Sequence, residues 1–124
     1  MPKTTQLKLS LQSKPGVLAK VSRALAEAGV NITALSATDR GKLTMLVNNP
    51  ARAKRALKKA KLRATEEPAF VVRLRNKPGT VARVAEKLAK ARINIKSAYA
   101  TTVGRSGAVV FTVSSPAKAR RLLR

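Results

Sequence analysis

A chain of 124 residues carries 27 Lys and Arg against five acids (Glu27, Asp39, Glu66, Glu67 and Glu86), a formal net charge of +22. It contains no His and no Cys, which removes the commonest general base, the thiolate nucleophile, disulfides and Cys-based zinc sites. Its hydrophobic share of 44% is globular. No window nears the roughly eighteen apolar residues of a membrane span, and the start Met1-Pro2-Lys3-Thr4-Thr5 lacks a signal peptide's apolar run, so a cytoplasmic location is expected.

Leu7, Leu9 and Leu11 alternate with Lys8 and Ser10, the pattern of a half-buried strand over Gln6 to Gln12. Ser13-Lys14-Pro15-Gly16 breaks it, with proline placed where a first helical turn tolerates it. Leu18, Val21, Ala24, Leu25 and Ala28 then recur at helical spacing, and Gly29 suits a C-terminal cap. Strands are expected over Val30 to Thr38 and Leu43 to Asn48, around a turn at Asp39-Arg40-Gly41. Asn49-Pro50 reads as an N-cap and first helical residue, and Ala53, Ala56, Leu57 and Ala60 line the inner face of the helix that follows. A short strand near Leu62 to Thr65 ends this half, and Glu66-Glu67-Pro68 reads as a linker.

The second half replays the order. Phe70, Val72 and Leu74 alternate in a strand; Val81, Val84, Ala85 and Leu88 form a helical stripe; strands follow near Ile93 to Val103 and Ala108 to Ser114; Ser115-Pro116 opens a last helix. Lys14-Pro15-Gly16 returns as Lys77-Pro78-Gly79, and Val30-Asn31-Ile32 as Ile93-Asn94-Ile95. Pro15 to Pro78 and Asn31 to Asn94 are the same 63 residues apart. A repeat this long reads as a duplicated small domain rather than a solenoid. The expected fold is α+β: two tandem ferredoxin-like βαββαβ units over residues 1–66 and 67–124, each an antiparallel sheet with its helices on one face. The second unit lacks its last strand, which leaves an edge to be paired by the other half or by a second chain.

The repeated loop carries the chemistry. Gly16 and Gly79 have no Cβ to keep a ligand away, the amides after them open a helix that attracts carboxylate or phosphate, and Asn31 and Asn94 offer both donor and acceptor. Donors for a carboxylate and acceptors for an ammonium suit an amino acid. Pro-Gly is also an ordinary turn, and Asn after a helix an ordinary cap. The segments Ser13-Lys14-Pro15-Gly16-Val17-Leu18 with Ala28-Gly29-Val30-Asn31-Ile32, and Asn76-Lys77-Pro78-Gly79-Thr80-Val81 with Ile93-Asn94-Ile95, resemble the ACT domain family. In that family a strand leads into a D/N-x-P-G-x-L loop and a helix, and G-[IV]-[ND]-I opens the second strand. The resemblance covers nearly the whole chain as two copies. It implies a regulatory module that binds amino acids or related ligands where paired domains meet. Carried over, Ser13, Gly16, Val17, Leu18, Asn31 and Ile32 line one site, and Asn76, Gly79, Thr80, Val81, Asn94 and Ile95 the other. Neither loop has the family's frequent Asp, and Arg92 replaces the helix-ending Gly of the second copy.

Basic helical faces form a second constellation: Arg52, Lys54, Arg55, Lys58 and Lys59, and later Lys118, Arg120, Arg121 and Arg124. Lys54 with Lys58 and Arg55 with Lys59 are like-charge i,i+4 pairs, each costing about 0.2–0.5 kcal/mol. A solvated face explains such a run, and so does a nucleic-acid or other polyanion partner bound without regard to sequence. The element order also resembles RNA-recognition motifs, where Phe70 and Phe111 would stack bases, although Ala108 stands where that motif wants an aromatic. A non-catalytic binding protein without cofactor or metal is expected. Its partners are an amino-acid-like ligand and, through the open edge, a second copy of the chain; the rival is a basic polyanion binder on the same scaffold.

Overall fold

The alternation of Leu7, Leu9 and Leu11 dictates a strand with one greasy side, and in the computed structural model, which describes residues 3–12 and 14–122, β1 spans Lys3–Ser10. Two units follow from the chain's contacts: Thr5–Glu67, and Pro68 onward together with the residues ahead of Thr5.

In the first unit α1 (Val17–Glu27) leads to β2 (Ile32–Ala37), β3 (Lys42–Val47) and α2 (Pro50–Lys59). β3 lies between β2 and β1, antiparallel to both, with Leu7 opposite Met45 and Leu9 opposite Leu43. Val21 and Leu25 of α1 and Ala53 and Leu57 of α2 bury against these strand residues, so both helices cover one face. Asn49 caps α2 as its sequence promised: Arg52 N donates to its Oδ1 at 3.1 Å, and Pro50 takes the first helical position.

The second unit repeats this with α3 (Thr80–Lys90), β5 (Ile95–Val103), β6 (Ser106–Val113) and α4 (Pro116–Leu122), all after β4 (Thr65–Arg75). β6 pairs antiparallel with both β4 and β5, and Phe70 faces Phe111 across it. The two rings, Leu88 and Ala119 are buried in a core with Val109 and Val113.

β4 corrects the expected punctuation. The short strand near Leu62 and the linker at Glu66-Glu67-Pro68 give way to one continuous strand that begins at Thr65. Leu62 and Ala64 pack against the first core instead. The adjacent acids do not break the strand because each finds a partner on its own side. Glu67 accepts from Gln6 Nε2 at 3.3 Å and pairs with Lys8 Nζ at 3.4 Å, while Glu66 pairs with Lys54 of α2 at 3.6 Å. Glu67 thereby satisfies Gln6, one of two buried polar residues among the described ones.

Three helices close through the same left-handed residue. Val30 N reaches Leu25 O, Leu62 N reaches Leu57 O and Ile93 N reaches Leu88 O, at 2.8 to 3.0 Å. Gly29 fills that position after α1, but Lys61 (φ 62) and Arg92 (φ 58) fill it after α2 and α3. A side chain there costs about 1–2 kcal/mol. Glycine's greater freedom in the unfolded chain offsets part of the relief, so Arg92→Gly should raise stability by about 0.5–1 kcal/mol in denaturant melts. An unchanged or lower midpoint would show that Arg92 earns its place through another contact.

Candidate functional site

The two Lys-Pro-Gly loops hold their glycines in one conformation. Gly16 and Gly79 are the N-caps of α1 and α3, both at φ 90, with ψ −9 and −12, and neither helix start is capped by a side chain or carries an acid in its first turn. A Cβ built on either glycine meets nothing within 4 Å. The loops therefore need glycine for its left-handed backbone, and the space beside it stays open.

Each loop is tied to the hairpin across from it, by different means. In the first unit Leu11 N donates to Gly41 O at 2.8 Å, and Leu11, Gly41, Lys14, Val17, Leu18 and Thr38 line a cavity of about 110 Å³. In the second unit Asn76 makes the tie, its N donating to Arg105 O at 2.7 Å and its Nδ2 to Gly104 O at 2.9 Å. Thr80 Oγ1 donates back to Lys77 O at 3.1 Å. The amide donors of Asn76 are thus partly committed to holding the loop. Ser13, its counterpart, lies outside the described residues.

Leu18 and Val81 depart from the helical stripes that their spacing suggested. They are 43% and 50% exposed, at equivalent positions two residues after the glycines. Both sit in the first helical turn, beyond the reach of the core below Val21 and Leu88.

Asn31 and Asn94 do not join the loops of their own units. Each follows the C-terminal end of a helix whose other end is the glycine, and eleven helical residues separate these ends by about 16 Å. Their backbones close the start of the next strand: Asn31 N donates to Asn48 Oδ1 at 2.9 Å, and Asn94 N to Ser114 Oγ at 3.0 Å. Both side chains are exposed, while Ile32 and Ile95 pack partly buried against the cores.

A family model described as an ACT domain pair matches residues 3–123. The chain belongs to that family. Among curated proteins none matches it in sequence. Among solved structures, this ACT pair is similar to a protein from Bacteroides thetaiotaomicron, with a TM-score of 0.91 and 27% identity over 98% of this chain and 86% of that one. It also resembles the ligand-free regulatory subunit of aspartate kinase from Thermus thermophilus, at a TM-score of 0.71 and 19% identity, covering 99% and 95%. E. coli aspartokinase III in complex with lysine and aspartate shares the fold at a TM-score of 0.64 and 18% identity, over 97% of this chain and 29% of that longer one.

The ACT pair spends both phenylalanines in the core. Phe70 is fully buried and Phe111 is 2% exposed, so neither offers a face for stacking bases, and the resemblance to RNA-recognition motifs stops at element order. The basic faces divide. Lys54 pairs with Glu66, and Lys118 Nζ donates to Ala91 O at 2.6 Å, satisfying the end of α3. Arg52, Arg55 and Lys59 flank a groove of about 470 Å³ floored by Ala24, Ala28, Ala56 and Ala60. Lys58 lines a neighbouring groove on α2, Arg120 and Arg121 are exposed on α4, and Arg124 lies outside the described residues. No helix among the described residues is long and apolar enough to cross a membrane, and no group of three or more potential ligating side chains gathers there for a metal.

Leu11, Thr38 and Gly41 were read as strand and turn residues, and their place beside the first loop was not. The signal for Gly41 was present: Gly104 stands 63 residues later, the same offset that relates the loops.

Proposed function

We propose that this ACT pair is a non-catalytic regulatory protein that binds a small zwitterion, an amino acid, at its Lys-Pro-Gly loops. The observation that carries the reading is the duplicated loop: two uncapped helix starts on left-handed glycines, each beside an exposed apolar side chain. Unspent amides and the helix dipole favour a carboxylate, and Leu18 or Val81 offers an apolar contact for a side chain. The lysine and aspartate in the structure of aspartokinase III support the same ligand class.

An ammonium needs acceptors, and the exposed Asn31 and Asn94 amides supply them. They stand too far from the loops of their own units to touch the same small molecule. In this reading a ligand held by both a loop and an Asn bridges two modules or two chains, and a homodimer would form part of the binding site. Ligand binding then shifts whichever packing it favours, and a regulated partner senses that shift.

Twenty amino acids screened by thermal shift on ligand-free protein should give one or a few that raise Tm. Saturation at about 100 times Kd adds about 2.7 kcal/mol. The response should vanish in the double variant Gly16→Val, Gly79→Val, whose side chains cannot hold φ 90 without strain. A flat response across the panel contradicts the proposal.

A further inference from the structure

α1 and α2 leave a groove between them that the first core does not use. Val21 and Leu25 of α1 and Ala53 and Leu57 of α2 are spent on that core. One step round each helix, Ala24 and Ala28 of α1 and Ala56 and Ala60 of α2 line the groove of about 470 Å³, and all four are half-buried. Arg52, Arg55 and Lys59 stand along its α2 side at i, i+3 and i+7, one helical stripe, and all three are exposed. Glu27, on the α1 side, is the one acid in the lining. The ion pairs of the described residues, Lys8–Glu67 and Lys54–Glu66, involve neither Glu27 nor the three cations. A stripe of like charge beside an apolar floor is unfavourable until something acidic covers both.

The second unit is built differently at this place. On the 63-residue offset Ala24 answers to Lys87. Pro50 and Pro116, which open α2 and α4, are 66 residues apart, so Ala56 answers to Leu122 and Arg52 to Lys118. Two methyl groups are thus exchanged for long side chains, and Lys118 Nζ is engaged by Ala91 O at 2.6 Å. An alanine floor with a free basic wall belongs to the first copy.

The chemistry of the groove selects its occupant. A second copy of this chain carries +22 as well, and its helices hold single acids, Glu27 on α1 and Glu86 on α3. Nucleic acid would meet the basic wall but leave the methyl floor unused, and neither α1 nor α2 has an aromatic on which to stack a base. Arg52 to Ala60 advance about 12 Å along α2, just over two turns, the reach of one short helix. We infer that the α1–α2 groove of the first unit docks an acidic amphipathic helix of a partner protein. Its small apolar residues, at i, i+3 or i+4 and i+7, lie on the alanine floor, and its carboxylates face Arg52, Arg55 and Lys59. Glu27 on the other wall fixes the orientation, because it repels the acidic flank toward α2. Exposed ion pairs contribute little each, so the docking is reversible and salt-sensitive. This surface is separate from the Lys-Pro-Gly loops and stands whether or not those loops bind an amino acid.

The test is fluorescence anisotropy with the full chain and two labelled peptides of about 15 residues. One carries Leu and Ala on one helical face and Glu on the flanks; the other has the same composition scrambled. At fixed, moderate salt the amphipathic peptide should bind saturably and about tenfold or more tighter than the scrambled one. Ala24→Lys with Ala56→Leu installs the second unit's residues and should weaken it about tenfold or more, although it adds a positive charge. Attraction by bulk charge would instead hold or strengthen. Arg55→Gln with Lys59→Gln should weaken binding about fivefold or more, while Arg120→Gln with Arg121→Gln, the same charge removed from α4, should stay within about twofold. The inference is overturned by an absence of saturable binding, by equal binding of the scrambled peptide, or by undiminished binding to the Ala24→Lys, Ala56→Leu variant. It is overturned too by a single-stranded RNA that binds more tightly than the peptide and loses affinity with Arg55→Gln, Lys59→Gln. Circular dichroism checks the fold of each variant, and Ala24→Lys alone repeats the test should the double variant not fold.

Discussion

Replacing Gly41 with Ala should unfold or nearly unfold the first unit, a loss of about 3 kcal/mol or more in denaturant melts. Two costs coincide there. Gly41 has φ +78, a backbone state that strains any side chain, and a Cβ on it would lie 1.7 Å from the carbonyl oxygen of Leu11. That oxygen belongs to backbone already fixed by the Leu11 N to Gly41 O bond of 2.8 Å, so it cannot step aside without breaking the tie between the end of β1 and the β2–β3 hairpin. The first-loop cavity shares these residues, and ligand response at that loop should fall with stability. Gly104 provides the control. It occupies the equivalent turn at φ +60 with nothing within 4 Å of a Cβ, so Gly104→Ala should cost only the strain of a left-handed alanine, about 1–2 kcal/mol. Equal losses at the two glycines would show that strain, not the close approach at Leu11, governs both turns.

Phe70→Ala should destabilise the second unit by about 3–5 kcal/mol. Phe70 is fully buried and lies opposite Phe111, and those two residues are the chain's whole complement of phenylalanine. A unit of about 60 residues buries a marginal core, so removing its largest side chain leaves a cavity that Leu88 and Val109 fill incompletely. Loss of a cooperative melt for this unit, with the first unit's transition kept, is the expected trace. If Phe70 instead served a nucleic-acid surface, Phe70→Ala would leave the melt nearly unchanged and reduce RNA binding; its burial argues for the opposite outcome.

Much of this architecture was written in local pattern. Alternation at Leu7, Leu9 and Leu11, helical spacing at Val21 and Leu25, the Asn49-Pro50 cap and the glycine at position 29 each act over a few residues, and the backbone obeys them. The 63-residue offset then exposed the duplication, because two copies of one fold must repeat their turn residues. The Glu66-Glu67-Pro68 segment misled because acid pairs and proline usually mark loops. Its fate in β4 depended on Lys54 and on Gln6 and Lys8, residues far away in sequence that supply partners on opposite sides of the strand. Leu18 and Val81 misled for a related reason. Spacing places them on the apolar stripe, but only the packed layer shows that the core stops below the first helical turn.

The sequence by itself determined the family, the number of modules and the two glycine loops, since these rest on backbone conformations that few residues can adopt. Tertiary structure decided which candidates share a site. Helix length puts Asn31 and Asn94 about 16 Å from the glycines they were grouped with, and only folding brings Leu11, Thr38 and Gly41 to one cavity with Val17 and Leu18. Composition had announced the charge; the fold showed where it is concentrated, because a net charge has no address until the chain is packed.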